Sequence, residues 1–224
     1  MELQNRRMIT DLARLVLSET AALQVTLPPE YFYKSLPLAL IDAVYSIGVT
    51  YSSTRNTVER FCQNQRPPWL LYRWEEGPEH TIRDFLAATD ARSPQELASR
   101  IYGNRQRTSS RNGILKAEAV SRCARVLRGH GVDSFADWRR LQSDAAIERD
   151  FRAVPGQGSG VAFGYFKMLC GDDAGIKLDR HIHAFMNRHG IGGIAELKQV
   201  AAELEITPRR LDYAIWQKMS RPAA

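Results

Sequence analysis

"AVPGQGSGVAFGYF", residues 153–166, sets four glycines and a proline at the start of a stretch that otherwise reads as a buried helix. An interior glycine costs a helix about 1 kcal/mol against alanine, so this cluster calls for a reason. In the order helix, "VPGQGSG", helix, a tight turn exposes successive backbone N–H groups at the start of the second helix. Such a concave array, added to the helix dipole, suits a phosphate, and a side chain there would hold the phosphate off. An ordinary turn followed by close helix packing would use the same residues. The rest of the chain has to supply a second signal.

Outward from the hairpin, apolar residues recur at three- and four-residue intervals. The pattern runs through the amino-terminal stretch, "LPLALIDAVYSIGVTY", "TVERFCQ", "TIRDFLAAT", "PQELASRIY", "ILKAEAVSRCARVLRGHG", "FADWRRLQS" and "IAELKQVAAELE", and that period marks helices. No segment alternates as a strand with a hairpin turn. The expectation is an all-α protein of many short helices. Ser93-Pro94 is a good helix start, with serine as cap and proline in the first turn. "YGNRQRTSSRNG", residues 102–113, is a polar, arginine-rich loop ahead of the Lys116 helix.

The 224 residues can bury an ample core or two small lobes. Hydrophobic residues at 44% and charged residues at 25% are ordinary globular values. No run approaches the roughly 18 apolar residues of a membrane span, and the amino-terminal stretch lacks the apolar core and cleavage site of a secretory signal. The three cysteines, Cys62, Cys123 and Cys170, are too scattered for a disulfide framework or a tight metal cluster. They read as reduced packing residues of a cytoplasmic protein. The net charge of +6, with arginine supplying most of the excess, suits phosphate recognition without demanding it.

The second signal is "GIKLDRHIHAFMNRHG", residues 175–190. A "VPGQGSGVAFGYF" hairpin followed by "KLDRHIHAF" resembles the helix-hairpin-helix (HhH-GPD, endonuclease III-like) DNA glycosylase superfamily. There a "PGxGxxxA" hairpin precedes a "VDxHV" segment with a catalytic aspartate. Pro155, Gly156, Gly158 and Ala162 match the first motif; Asp179 and His181 match the second, with Leu178 and Ile182 as close replacements. "LIDAVYSIGVTYSSTRNTVERF" looks like the family's early helix pair, and "ILKAEAVSRCARVL" like its "KAxxI" helix.

The resemblance implies a two-lobed all-α fold. Residues 35–170 would form a helical barrel lobe ending in the hairpin, at about 147–170. Residues 1–34 with 171–224 would form a second helical lobe, with the active-site cleft between the two. It also implies hydrolysis of an N-glycosidic bond, with Asp179 stabilising an oxocarbenium-like sugar or orienting water. Gly160 stands where bifunctional members carry an attacking lysine, so no Schiff-base lyase step is expected. Gly48 stands where many members carry a wedge or base-contacting glutamine, which suits a large or decorated base. The iron–sulfur cysteine quartet is missing, so no cofactor is expected.

The expected partner is DNA, double-stranded with the target base flipped out; no membrane and no obligate protein partner is evident. Phosphate contacts are expected from Pro155, Gly156, Gln157, Gly158, Ser159 and Gly160 of the hairpin, and from Arg105, Arg107, Arg111, Lys116, Arg180 and His181. Tyr45, Gly48 and Tyr51 are the expected base pocket. His181 and His183, two apart on a helix, do not face the same way and make a poor metal set. Asp179 also reads as a plain helix N-cap, and both roles can hold at once. Repair of damaged bases and attack on modified bases of foreign, for instance phage, DNA are both open. So is a catalytically inert helix-hairpin-helix DNA-binding module, and so, more weakly, is a protein-interaction domain without DNA affinity.

Overall fold

The computed structural model describes residues 2–220, with side chains from residue 6 onward. Among these residues the protein is all-α: twelve helices, and no strand beyond two isolated bridges, Tyr33 with Tyr72 and Arg107 with Leu115. The chain divides into two compact units, Pro29–Cys170 and the paired flanking stretches Met1–Pro28 and Gly171–Ala224.

The unit Pro29–Cys170 is built around α2 (Leu36–Tyr45), whose ten residues are all buried. A helix that is apolar on every side belongs inside a bundle. Its one acid, Asp42, accepts a hydrogen bond from the Tyr33 hydroxyl at 2.8 Å, so the buried carboxylate keeps a partner. Around it pack α3 (Tyr51–Gln63), α4 (Ile82–Thr89), α6 (Lys116–Gly129) and α9 (Val161–Leu169). A short helix, α5 (Pro94–Glu96), runs on into a single wide turn, Leu97–Ile101, while α7 (Phe135–Leu141) and α8 (Ala145–Ala153) lead into the hairpin. Capping boxes start α4, α5 and α7, through Thr81 with Asp84, Ser93 with Glu96 and Ser134 with Asp137. Each such cap contributes about 1 kcal/mol.

The flanking unit holds α1 (Glu2–Glu19), α10 (Arg180–His189), α11 (Ile194–Glu203) and α12 (Pro208–Ser220). Val16, Ile182, Phe185, Leu197, Val200, Leu211 and Ile215 form its core. In it α12 packs on α10 and α11, and α11 packs on α1.

All three cysteines are buried thiols. Burial pushes Cys62 up to about 12 and raises Cys123 and Cys170 as well, so none is a ready thiolate. No helix among the described residues is long and apolar enough to cross a membrane.

Candidate nucleic-acid interface and carboxylate site

The hairpin forms where its glycines require it. Helix α8 ends at Ala153, residues 154–160 turn, and α9 begins at Val161. Gly156 has φ +86° and Gly160 φ +77°, the left-handed region that costs other residues about 1–2 kcal/mol. A Cβ at Gly156 would also collide with the Thr108 side chain. Gly156 is therefore the point where the arginine-rich loop lies against the hairpin. Gly158 has neither constraint: no atom lies closer than 3.9 Å to a Cβ placed there.

The turn is held from below. Arg152 donates from Nε and Nη2 to the carbonyl of Gly158, at 3.3 and 3.0 Å. Gly160 N–H donates to Gln157 O, and the ladder of α9 starts with Gly164 N–H donating to Gly160 O at 2.9 Å. Among the described residues the N–H groups of Gly158 and Ser159 find no acceptor. Pro155, Gly156, Gly158 and Ser159 are exposed and Gly160 is half-buried. Gln157 departs from expectation: the residue is 3% exposed, its N–H donates to Val154 O and its carbonyl accepts from Gly160 N–H, so it holds the turn from inside and is no ligand contact.

The basic loop closes on itself and brings part of the expected set together. Thr108 N–H donates to Ile114 O and Lys116 N–H to Gln106 O, both at 2.9 Å. Arg107 donates from Nη1 to Gly113 O at 2.7 Å, with the rest of the side chain exposed; Arg105 and Arg111 are exposed too. Ile47, Gly48 and Val49 of the α2–α3 turn face Gln106, Arg107, Ser109, Ser110 and Lys116 across a cavity of about 380 Å³. A Cβ at Gly48 would meet no atom within 4 Å, and its φ of +71° is the left-handed region that by itself favours glycine.

Two expected residues are corrected. Tyr45 has no exposed surface and packs its ring against Tyr102 at 5.2 Å; it is a core residue, because α2 is buried all round, and cannot stack on a base. Lys116 is 3% exposed and directs its ammonium inward, to Tyr45 O at 2.9 Å, Ile47 O at 2.7 Å and Gln106 Oε1 at 3.4 Å. It satisfies carbonyls at the end of α2, which the sequence read as a phosphate contact. Tyr51, in the first turn of α3, is 39% exposed.

In the flanking unit Asp179 is the N-cap of α10. Its Oδ1 accepts from His181 N–H at 2.8 Å and from Ile182 N–H at 3.2 Å. Both bonds fall on one oxygen, so the cap leaves Oδ2 unused on a half-buried carboxylate. Arg180 is exposed and its Nε lies 3.2 Å from the His181 ring nitrogen. His181 stands edge-on to Trp216, with ring centroids 6.5 Å apart, and His183 points to solvent. His189 Nε2 lies 3.2 Å from Glu19 Oε1. Among the described residues no three His, Cys, Asp or Glu side chains gather as a metal site.

Sequence reasoning missed Asp212. It lies on α12, is 5% exposed, and accepts from Lys177 N–H at 2.8 Å. Burial pushes its carboxyl up to about 8; the Lys177 N–H and the Lys177 charge work against that shift, and the Asp179 charge adds to it. The available signal was Thr207-Pro208 ahead of Leu211, Ala214 and Ile215, a helix start followed by a helical period with one acid inside the apolar face.

A family model for a domain of unknown function (DUF8548) matches residues 10–220. No curated protein and no solved structure matches the chain.

Proposed function

The chain belongs to the DUF8548 family, and since that family's description names no activity, we propose a function from the residues themselves. The protein is a monofunctional DNA glycosylase that hydrolyses the N-glycosidic bond of a damaged or modified base and leaves an abasic site. On this reading the α8–turn–α9 element is the hairpin of a helix-hairpin-helix glycosylase fold, and the protein acts on cytoplasmic double-stranded DNA from which the base is flipped.

The observation that carries the reading is the hairpin turn. Its Gly158 and Ser159 N–H groups lack acceptors at the start of α9, beside Gly156, where the arginine-rich loop is pressed against the turn. A phosphate is the ligand that such donors suit, by charge and by the helix dipole. Arg105, Arg107 and Arg111 add sequence-independent attraction. The cavity beside Gly48 is the candidate base pocket.

For the chemistry, Asp179 serves two ends with two oxygens. Oδ1 caps α10 and so fixes the carboxylate, while Oδ2 is available to stabilise positive charge on the sugar or to orient water toward the anomeric carbon. Gly160 offers no amine, so the product is an abasic site without strand cleavage.

One observation favours the inert DNA-binding module instead: the two cap bonds of Asp179 are by themselves a sufficient structural role for it. Asp179→Asn separates the readings, because asparagine caps a helix about as well as aspartate. Wild type and variant are scored for alkali-labile sites on duplexes carrying uracil, alkylated and oxidised bases, and on phage-modified DNA. Release by the wild type that the variant loses, with DNA binding kept by both, is the expected result. Salt-sensitive binding without release from any substrate would decide for the inert module.

A further inference from the structure

Behind Asp179 stands a carboxylate for which the glycosylase chemistry has no use. Asp212 Oδ1 accepts from Lys177 N–H at 2.8 Å. The carbonyl of Lys177 in turn accepts from Asp179 N–H at 2.6 Å. Two hydrogen bonds in series therefore run from the interior of α12 to the backbone of Asp179. One turn earlier on α12, Arg209, 8% exposed, pairs with the Asp173 carboxylate at 2.5 Å and donates its N–H to Asp173 O at 3.1 Å. Residues 173–177 are thus tied to α12 at both ends.

An ionisable group is a costly choice for an acceptor in this position, since burial disfavours its charged form. The charged groups that face Asp212 are Lys177 and Asp179, both on the segment it holds. Its titration is therefore coupled to the residue whose backbone it steadies.

We propose that Asp212 is the positioning residue of Asp179, holding Lys177-Leu178-Asp179 so that Oδ2 keeps one direction while Oδ1 caps α10. The proposal rests on the reading of Asp179 as the acid of a glycosylase. Asp212 acts through the backbone and touches no substrate. Asparagine in its place would keep the acceptor for Lys177 N–H, whereas alanine would leave that N–H unpaired and the segment loose.

The test uses the full chain. Base release by Asp212→Ala falls on the order of 10²-fold in kcat, as displacement of a reacting group by about 1 Å does, with KM for DNA unchanged. Asp212→Asn stays within about threefold of wild type. Equal loss in both variants, or full activity of a folded Asp212→Ala protein, overturns the proposal. A second arm needs no activity: carbon NMR of labelled aspartate should show a carboxyl titrating near pH 8 that vanishes in Asp212→Asn. In Asp179→Asn the same titration moves to lower pH, because a neighbouring negative charge is gone. A titration that Asp179→Asn leaves in place overturns the juxtaposition. If the wild type releases no base from any substrate, the glycosylase reading fails, and the titration arm still decides whether Asp212 and Asp179 stand next to each other.

Discussion

Replacing Lys116 by methionine keeps most of the aliphatic stem and removes the ammonium. That ammonium donates to Tyr45 O at 2.9 Å and Ile47 O at 2.7 Å, carbonyls at and just beyond the end of α2, where no intrahelical donor is available. It also places a positive charge at the negative end of the helix dipole. A hydrogen bond to a charged group contributes about 1.5–3 kcal/mol, so the two short bonds together contribute about 3–6 kcal/mol. Against this stands the cost of holding an ammonium out of water, which methionine does not incur. The expected net loss is about 3 kcal/mol, or roughly 6–12 °C in Tm at about 2–4 °C per kcal/mol. Urea denaturation followed by circular dichroism reads the first quantity. Duplex binding as a function of salt, on the same samples, reads whether Lys116 also neutralises a phosphate. An inward-bonded lysine lowers stability and leaves the salt slope unchanged. Stability within about 1 kcal/mol of wild type, with the slope reduced by about one unit, would refute the structural role and return Lys116 to the DNA contacts.

Gly156→Ala combines a left-handed φ, costing about 1–2 kcal/mol, with a collision against Thr108 worth about 1–3 kcal/mol. A Thr108→Gly background should recover the second part, and strict additivity in urea denaturation of the double variant would contradict the contact. For pH dependence, the Asp212 carboxyl titrates near 3.9 in the unfolded chain and about 8 in the folded one. Between those values the folded chain keeps a proton that the unfolded chain has released, so stability falls as pH rises, by up to about 1.4 kcal/mol per pH unit, and levels above the folded value. Asp212→Asn should flatten that slope; an equal slope in the variant would show that some other group is responsible. Replacing Arg105 and Arg111 together by alanine should weaken duplex binding uniformly across sequences and lower the salt slope by up to about two units, without lowering base release at saturating DNA. A sequence-dependent loss of affinity would count against phosphate contact.

The helices and the hairpin were legible because backbone geometry has strong local signatures. Ser93-Pro94 announced a cap, and the Ser93 hydroxyl does accept from Glu96 N–H; the glycines of 156–160 announced a tight turn between two helices, and residues 154–160 do turn between α8 and α9, with Gly156 and Gly160 at positive φ. Direction was harder to read. The apolar period of residues 36–45 says that a helix is buried and, when nearly every position is apolar, does not say which side faces a cavity. Tyr45 flanks Gly48 at the helix end expected to line a cleft, and the period alone does not reveal that its ring turns into the core. Lys116 stood in a basic cluster in the sequence, yet the carbonyls that hold it belong to residues some seventy positions earlier, a pairing that no local pattern reveals. Asp212 was missed on the same ground, since its partner Lys177 is 35 residues away.

If Asp179 is the acid of the proposed reaction, capping and catalysis need not compete. The N–H groups of His181 and Ile182 at the start of α10 both converge on Oδ1, so the cap bonds leave the other carboxylate oxygen outside them. The dipole of α10 favours negative charge at its N-terminus, which suits the proposed reaction, in which positive charge develops. The same fixation would be worth little if the segment carrying Asp179 were free to swing. Residues 173–177 are bound instead to α12 by Arg209 and Asp212, so the backbone leading into Asp179 is held by α12 while Oδ1 is held by α10. On the proposed reading the second constraint matters for the chemistry and not for the cap, which is why Asp212→Ala is expected to lower base release while the two cap bonds of α10 stay in place.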